Sequence, residues 1–222
     1  MKPLVTPLIV LSLLSGCASR ADKPAAPSNR ADALAAAVAK ASGAEAWAGV
    51  KRLRFTFYAA GGDKPTLSAR HDWDVPAGKD TITWAGKTVT VDVNAPPPAD
   101  APKDVKDAFA RWTNDAYWLV APLKWLDPGV NRAYGGTQTV YGQSYEVLNL
   151  SFGPVGLTSN DRYTVYVDPR TNLVRYWDYM PAPDKTLRGT WEKYQTFNGL
   201  TLSTDHEIAG RRITFTDVSV ER

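Results

Sequence analysis

Cys17 is the sole thiol in a chain of 222 residues, and it ends the run Leu14-Ser15-Gly16-Cys17. Lys2 gives a basic start, and the apolar stretch from Leu4 to Leu14 is too short to span a bilayer. A leucine, two small residues and a cysteine form the pattern that bacterial lipoprotein signal peptidase cuts. The chemistry expected is removal of residues 1–16, a diacylglyceryl group on the Cys17 thiol, and a further acyl chain such as palmitate on the freed amine. An ordinary secretory peptide with a chance cysteine is the plainer alternative. A lone free thiol is a liability in an oxidising compartment, which favours lipidation. Each buried methylene contributes roughly 0.8 kcal/mol, so several chains hold a protein on a membrane where one does not.

The chain has two histidines. His71 shares strand parity with Leu67, Ala69 and Trp73, and His206 with Leu200, Leu202 and Ile208, so both should point to an apolar side. Each reads either as a buried imidazole satisfied by one backbone or tyrosine partner, or as half of a cavity-lining pair able to bind metal or shuttle protons. Asp72 and Asp74 fall on the opposite face of the strand carrying His71, which argues against a local metal cluster. Asp161, Asp168 and Asp178 sit in or beside turns, where aspartate is ordinary.

The third concentration of chemistry is aromatic. Trp112, Asn114, Asp115, Tyr117, Trp118 and Trp125 fall within fourteen residues. Trp112 and Trp118 diverge by about 120° on a helix. Trp118 and Trp125 align only if the helix continues through Pro122, which is expected to stop it. One reading makes these rings anchors on a sheet, with Asn114 and Asp115 capping backbone groups. The other makes the segment a lid over an apolar groove, with Tyr117 and Trp118 at its mouth. Trp112, Asn114, Asp115, Tyr117, Trp118, Trp125, His71 and His206 are therefore the candidate groove residues.

No His-Glu-x-x-His, Gly-x-Ser-x-Gly or Cys-x-x-Cys occurs. Gly86-Lys87-Thr88 resembles the end of a phosphate-binding loop, but Thr81 stands where its first glycine is required. No catalytic residue, metal ligand or cofactor is assigned. Loss of residues 1–16 leaves 25 basic against 23 acidic residues, a net +2, with the arginines scattered; nucleic acid is a poor partner.

Positioning falls to one domain. Ala18 to Arg30, rich in Ala, Pro and Ser, reads as a tether of at most about 45 Å. Residues 31–222, with all eight tryptophans, ten tyrosines and six phenylalanines, are expected to form a single unit with a sizeable core. Asp32–Trp47 has helical spacing, with Asp32 as N-cap and Gly43 weakening the final turns. Strands are predicted at 53–58, 67–75, 81–84 and 87–93, a helix at 104–120, then strands at 137–141, 144–151, 161–167, 173–180, 187–196, 200–208 and 211–219. Ala85-Gly86, Asn198-Gly199 and Ala209-Gly210 mark tight hairpins. The fold class is α+β: a strongly curved antiparallel sheet, an incomplete barrel of about eleven strands, with an N-terminal helix and a helical insertion across its concave face.

The run Trp112-x-Asn-Asp-x-Tyr-Trp-Leu119, the following Lys124-x-x-Asp-Pro-Gly-Val130, and Val155-Gly156-Leu157-Thr158 leading to Asp161-Arg162-Tyr163 and Val167-Asp168-Pro169 resemble an uncharacterised family of bacterial lipoproteins. That family is similar to the Lol-type (LolA/LolB-like) superfamily of outer-membrane lipoprotein-sorting carriers and receptors. The resemblance implies an incomplete barrel of about eleven strands plugged by helices, whose carriers hold acyl chains inside. Fold likeness does not transfer function. Three expectations follow: a lipid- or acyl-chain-binding lipoprotein of the cell envelope, a non-catalytic scaffold with a filled barrel, or an enzyme on a hydrophobic envelope substrate. The first is preferred, and the protein is not expected to be an enzyme. Ala18 lacks the aspartate that favours inner-membrane retention, so the outer membrane, facing the periplasm, is the expected location. The expected partners are the membrane, through Cys17, and an acyl-chain, lipid or lipoprotein ligand.

Overall fold

In the computed structural model, residues 30–153, 161–182 and 184–222 are described. The leader, Cys17, residues 18–29 of the expected tether and Val155–Thr158 lie outside them, whereas Arg30 already belongs to the first helix. Two short helices, α1 (Arg30–Ala41) and α2 (Ala44–Trp47), precede four strands: β1 (Arg52–Gly61), β2 (Leu67–Asp74), β3 (Lys79–Trp84) and β4 (Lys87–Asp92). The long helix α3 (Lys103–Lys124) follows. The rest is strand: β5 (Val130–Val140), β6 (Gln143–Phe152), β7 (Arg162–Val167), β8 (Val174–Ala182), β9 (Lys185–Thr190), β10 (Glu192–Phe197), β11 (Leu200–Ile208) and β12 (Arg211–Glu221).

Eleven strands form one antiparallel path, β4-β3-β2-β1-β12-β11-β9-β8-β7-β6-β5, and β10 pairs with β11 beside it. The ends of the path do not meet, so the barrel is incomplete. Strand alternation creates two faces. Leu53, Phe55, Phe57 and Ala59 of β1 enter the core, as do Leu148 and Leu150 of β6 and Val165 and Val167 of β7. Tyr145, Val147 and Tyr166, at the alternate positions, form a separate cluster on the outer face. The apolar stripes of α1 (Leu34, Ala35, Val38) and α3 (Ala116, Leu119, Val120, Leu123) complete the inner core.

The hairpins are sharp for a local reason. Ala85-Gly86, Tyr141-Gly142, Asn198-Gly199 and Ala209-Gly210 each hold two successive residues at positive φ, the geometry of two-residue turns that follow strand twist.

Five features differ from the sequence expectation. Gly43, at φ 94°, breaks the first helix into α1 and α2; a side chain there would lie 2.2 Å from the Gly199 carbonyl oxygen, so only glycine fits. Asp32 is not the N-cap but a first-turn residue whose carboxylate binds Arg132 at 2.7 Å. Pro122 does not end α3, which runs two residues beyond it; packing of Leu119, Ala121, Leu123 and Trp125 offsets the lost N–H. The segment expected as one strand over 187–196 is two, because Trp191 turns into the core with its N–H on the Arg175 carbonyl at 2.9 Å. That split makes the twelfth strand. β5 also starts at Val130, directly after the turn, rather than at 137.

Candidate functional site

Helix α3 lies across the concave face, and its two halves meet different chemistry. Its C-terminal end is tied down: Arg132 donates to the carbonyls of Trp125 (2.8 Å) and Val130 (2.7 Å) while pairing with Asp32 of α1. Toward the N-terminus, Trp112 packs edge-on to Trp73 of β2 with centroids 5.5 Å apart, beside Phe109.

Between these, Asp115 is buried against His71 of β2. His71 is fully enclosed, and its ring stacks on Phe55 with centroids 4.4 Å apart. Its Nδ1 lies 2.7 Å from Asp80 Oδ2, and its Nε2 lies 3.2 Å from Asp115 Oδ2. The other Asp115 oxygen accepts from Asn114 Nδ2 at 2.8 Å, and Asp80 Oδ1 has no partner among the described residues. Burial opposes a charge on His71, but hydrogen bonds to Asp115 and Asp80, with their charges, outweigh it and raise its pKa above the ordinary histidine value. An imidazolium donating to both carboxylates satisfies this geometry.

Past Asp115 the surroundings become aromatic. Trp118 packs on Trp177 of β8 (4.5 Å), His206 of β11 (5.2 Å) and Trp191 (6.4 Å). The sheet makes room through Gly189 of β9, where a side chain would lie 2.6 Å from Trp177 Nε1 and 3.4 Å from Trp118. Tyr117 stacks on Trp177, and its sealed hydroxyl faces the Trp125 indole outside good hydrogen-bond geometry; burial drives its pKa well up. His206 Nδ1 meets the Thr190 carbonyl at 3.1 Å, and burial holds its pKa down to about 4. The indole N–H groups of Trp177 and Trp191, and His206 Nε2, are buried without partners among the described residues.

The candidate residues therefore divide. His71, Asn114 and Asp115 form a polar cluster with Trp112 nearby; Tyr117, Trp118, Trp125 and His206 belong to the aromatic bed. The histidines share no partner, and no group of three or more potential ligands is arranged for a metal among the described residues. His206 has the backbone partner expected of a plain buried histidine, whereas His71 is satisfied by two carboxylates. Asn114 and Asp115 do not cap backbone groups; Asn114 donates to Asp115, and Asp115 meets His71. Asp80 and Trp191 escaped the sequence reading, although Asp80 shares strand parity with the buried Ile82 and Trp84.

Among the described residues, Trp118 is 9% exposed and Trp125 is fully buried, so the protein's own rings occupy the concave face beneath α3. Two clefts, of about 370 and 350 Å³, lie elsewhere: one at Lys40, Glu45 and Arg222, the other at Tyr141, Tyr176 and Arg188. No α3 residue lines either.

No protein family matches the sequence, and no curated protein is significantly similar to it. Solved structures are similar in shape. A LolA superfamily protein from Nitrosomonas europaea matches with a TM-score of 0.50 at 7% identity, covering 85% of this chain and 94% of that one. This chain has the LolA fold. Two further structures are a DUF1329 family protein from Desulfovibrio piger (TM-score 0.48, 11% identity, 86% and 93% covered) and a domain assigned to outer membrane lipoprotein sorting from Vibrio parahaemolyticus (0.46, 8%, 84% and 93%).

Proposed function

We propose that this chain is a lipid-anchored protein of the bacterial envelope that takes an acyl chain or lipid between α3 and the concave sheet when α3 lifts. In this reading residues 1–16 are a leader, Cys17 carries the anchor, residues 17–30 are a tether facing the periplasm from the outer membrane, and residues 31–222 bind the ligand. The observation that carries it is the composition of the bed under Trp118. Trp177, Trp191 and His206 offer an apolar surface with polar atoms that find no partner while α3 is seated. Each unsatisfied buried group costs about 1–3 kcal/mol. A ligand with acyl chains and ester or amide carbonyls satisfies both the apolar surface and the indole donors. The covering element is a single amphipathic helix, which can leave without dismantling the sheet.

The occupied concave face favours a second reading, a non-carrying scaffold whose barrel stays filled. An enzyme is disfavoured, because the cluster of His71 with Asp80 and Asp115 is enclosed and lines neither of the two clefts. The full chain carrying Cys17→Ser, which keeps attached acyl groups out of the measurement, separates the first two readings when titrated with cis-parinaric acid. Saturable tryptophan-to-parinarate energy transfer, increased by Trp118→Ala, is the expected result. Absence of saturable transfer in both proteins leaves the scaffold.

A further inference from the structure

The polar cluster under α3 has a feature that a static anchor does not need. Its two hydrogen bonds are unequal, and the longer one alone joins the helix to the sheet. Asp80 belongs to β3, next to β2, so the 2.7 Å bond from His71 Nδ1 holds strand to strand. Asp115 belongs to α3, so the 3.2 Å bond from Nε2 holds helix to sheet. The remaining polar contact of Asp115, from Asn114, stays within α3 and ties it to nothing.

We propose that the contact between His71 Nε2 and Asp115 is a releasable clasp, and that the proton on Nε2 decides whether α3 stays seated. The proposal rests on reading α3 as the cover of an acyl-binding surface and adds how that cover is held.

The charged groups facing His71 are Asp80 from β3 and Asp115 from α3; β1 presents only the Phe55 ring. Along β2 itself, Asp72 points to the outer face, where it pairs with Arg52 and Arg54. With both ring nitrogens protonated, His71 donates in both directions. When one proton leaves to solvent base, the other stays on Nδ1, which has the shorter bond. Nε2 then turns a lone pair toward the lone pairs of Asp115 Oδ2, and the attraction becomes repulsion. The partners raise the His71 pKa, so the clasp is intact at and below the ordinary histidine value of about 6.5 and lets go as pH rises through the elevated one. Because Arg132 secures the far end at Trp125, release frees the N-terminal part of α3 to swing about that end.

Two substitutions at one position separate a clasp from a structural contact. Asp115→Ala removes the acceptor at a helix position where alanine is well tolerated. Asp115→Asn can place its amide N–H on the bare Nε2 and its oxygen toward Asn114, giving a bond that neutral His71 accepts. The experiment is hydrogen–deuterium exchange of the full chain from about pH 6 to about pH 10, corrected for intrinsic exchange, with parinarate uptake measured in parallel. In the unmodified protein, exchange in residues 103–115 rises with pH by roughly tenfold or more, the scale of one hydrogen bond to a charged group. Asp115→Ala is fast at every pH, and Asp115→Asn is slow at every pH. Exchange in α3 that ignores pH in the unmodified protein, or that is equal in the two variants while strands β6–β8 stay protected, overturns the clasp. Uptake of parinarate without these exchange differences sinks the clasp and spares the acyl-binding reading. The exchange pattern without any uptake does the reverse.

Discussion

His71 and His206 sit under the same helix, both fully buried, yet they are held in opposite states. His71 lies between two carboxylates and is favoured as an imidazolium. His206 lies among Trp118, Trp191 and Phe215 with one backbone carbonyl, and is favoured as a neutral ring, its pKa near 4. Burial alone predicts a neutral ring at both sites. What separates them is the partner chemistry on the facing elements, Asp80 and Asp115 at one end and indoles at the other. The seat of α3 thus has an ionic half, which tethers, and an aromatic half, which fills space.

The largest effect expected from breaking this contrast follows His71→Leu. The leucine fits an apolar site but leaves Asp80 buried without the His71 donor and Asp115 with only that of Asn114, and removing one partner of a buried charged set costs about 3–5 kcal/mol. Urea unfolding near neutral pH measures it. A midpoint unchanged from the parent would mean that the carboxylates are not held as ions.

Next in size is a pH effect of opposite sign at the two ends. His206 has a lowered pKa, so its contribution is complete above about pH 6.5 and is lost as pH falls toward about 4, a span of about 3 kcal/mol. His71 has a raised pKa, so its contribution is complete below about 6.5 and is lost on the alkaline side. His206→Leu should flatten the acid limb of stability between about pH 4 and 6.5 and leave the alkaline limb in place. An acid limb that persists unchanged in that variant would assign it to carboxylates instead.

Much of this architecture is written locally in the sequence. Period-two alternation in β1, with Leu53, Phe55 and Phe57 inward, and the Asn198-Gly199 turn identify strand and hairpin without tertiary information. The inward parity of His71 and His206 is legible for the same reason. What a local pattern cannot carry is partnership across the fold. Asp115 lies 44 residues from His71, and only the crossing of α3 over β2 joins them. Pro122 and Trp191 misled for a related reason: packing of neighbouring side chains overrides the breaker in one and imposes a break in the other. The fill of the concave face was equally hidden, because aromatic content alone does not say whether the rings line a hollow or occupy it.

The aromatic half can be sharpened with Gly189→Ala. A β-carbon there would stand 2.6 Å from Trp177 Nε1, so Trp177 must shift, and it would push against Trp118, whose ring centroid is 4.5 Å from its own. Overpacking of this kind costs about 1–3 kcal/mol. If α3 is a separable cover, the variant should lose stability while gaining exchange in residues 116–124, with the His71 end unaffected. Faster exchange along all of α3 would instead make the helix one rigid unit.

The smallest effect tests whether the enclosed clasp, rather than the protein surface, holds the N-terminal half of α3. Lys87 of β4 reaches Asp104 at 2.5 Å, and these side chains remain 51% and 44% exposed. This is the other ion pair between α3 and the strands among the described residues, and its position nearer the helix start gives it the better leverage. Solvent screening limits such a pair to about 0–1 kcal/mol, and the enclosure of His71 removes that limit for the clasp. Lys87→Ala should therefore move the urea midpoint little, with any shift vanishing in high salt, and leave α3 exchange at neutral pH near that of the parent. Opening of α3 in that variant comparable with Asp115→Ala would transfer the tether from the interior to the surface.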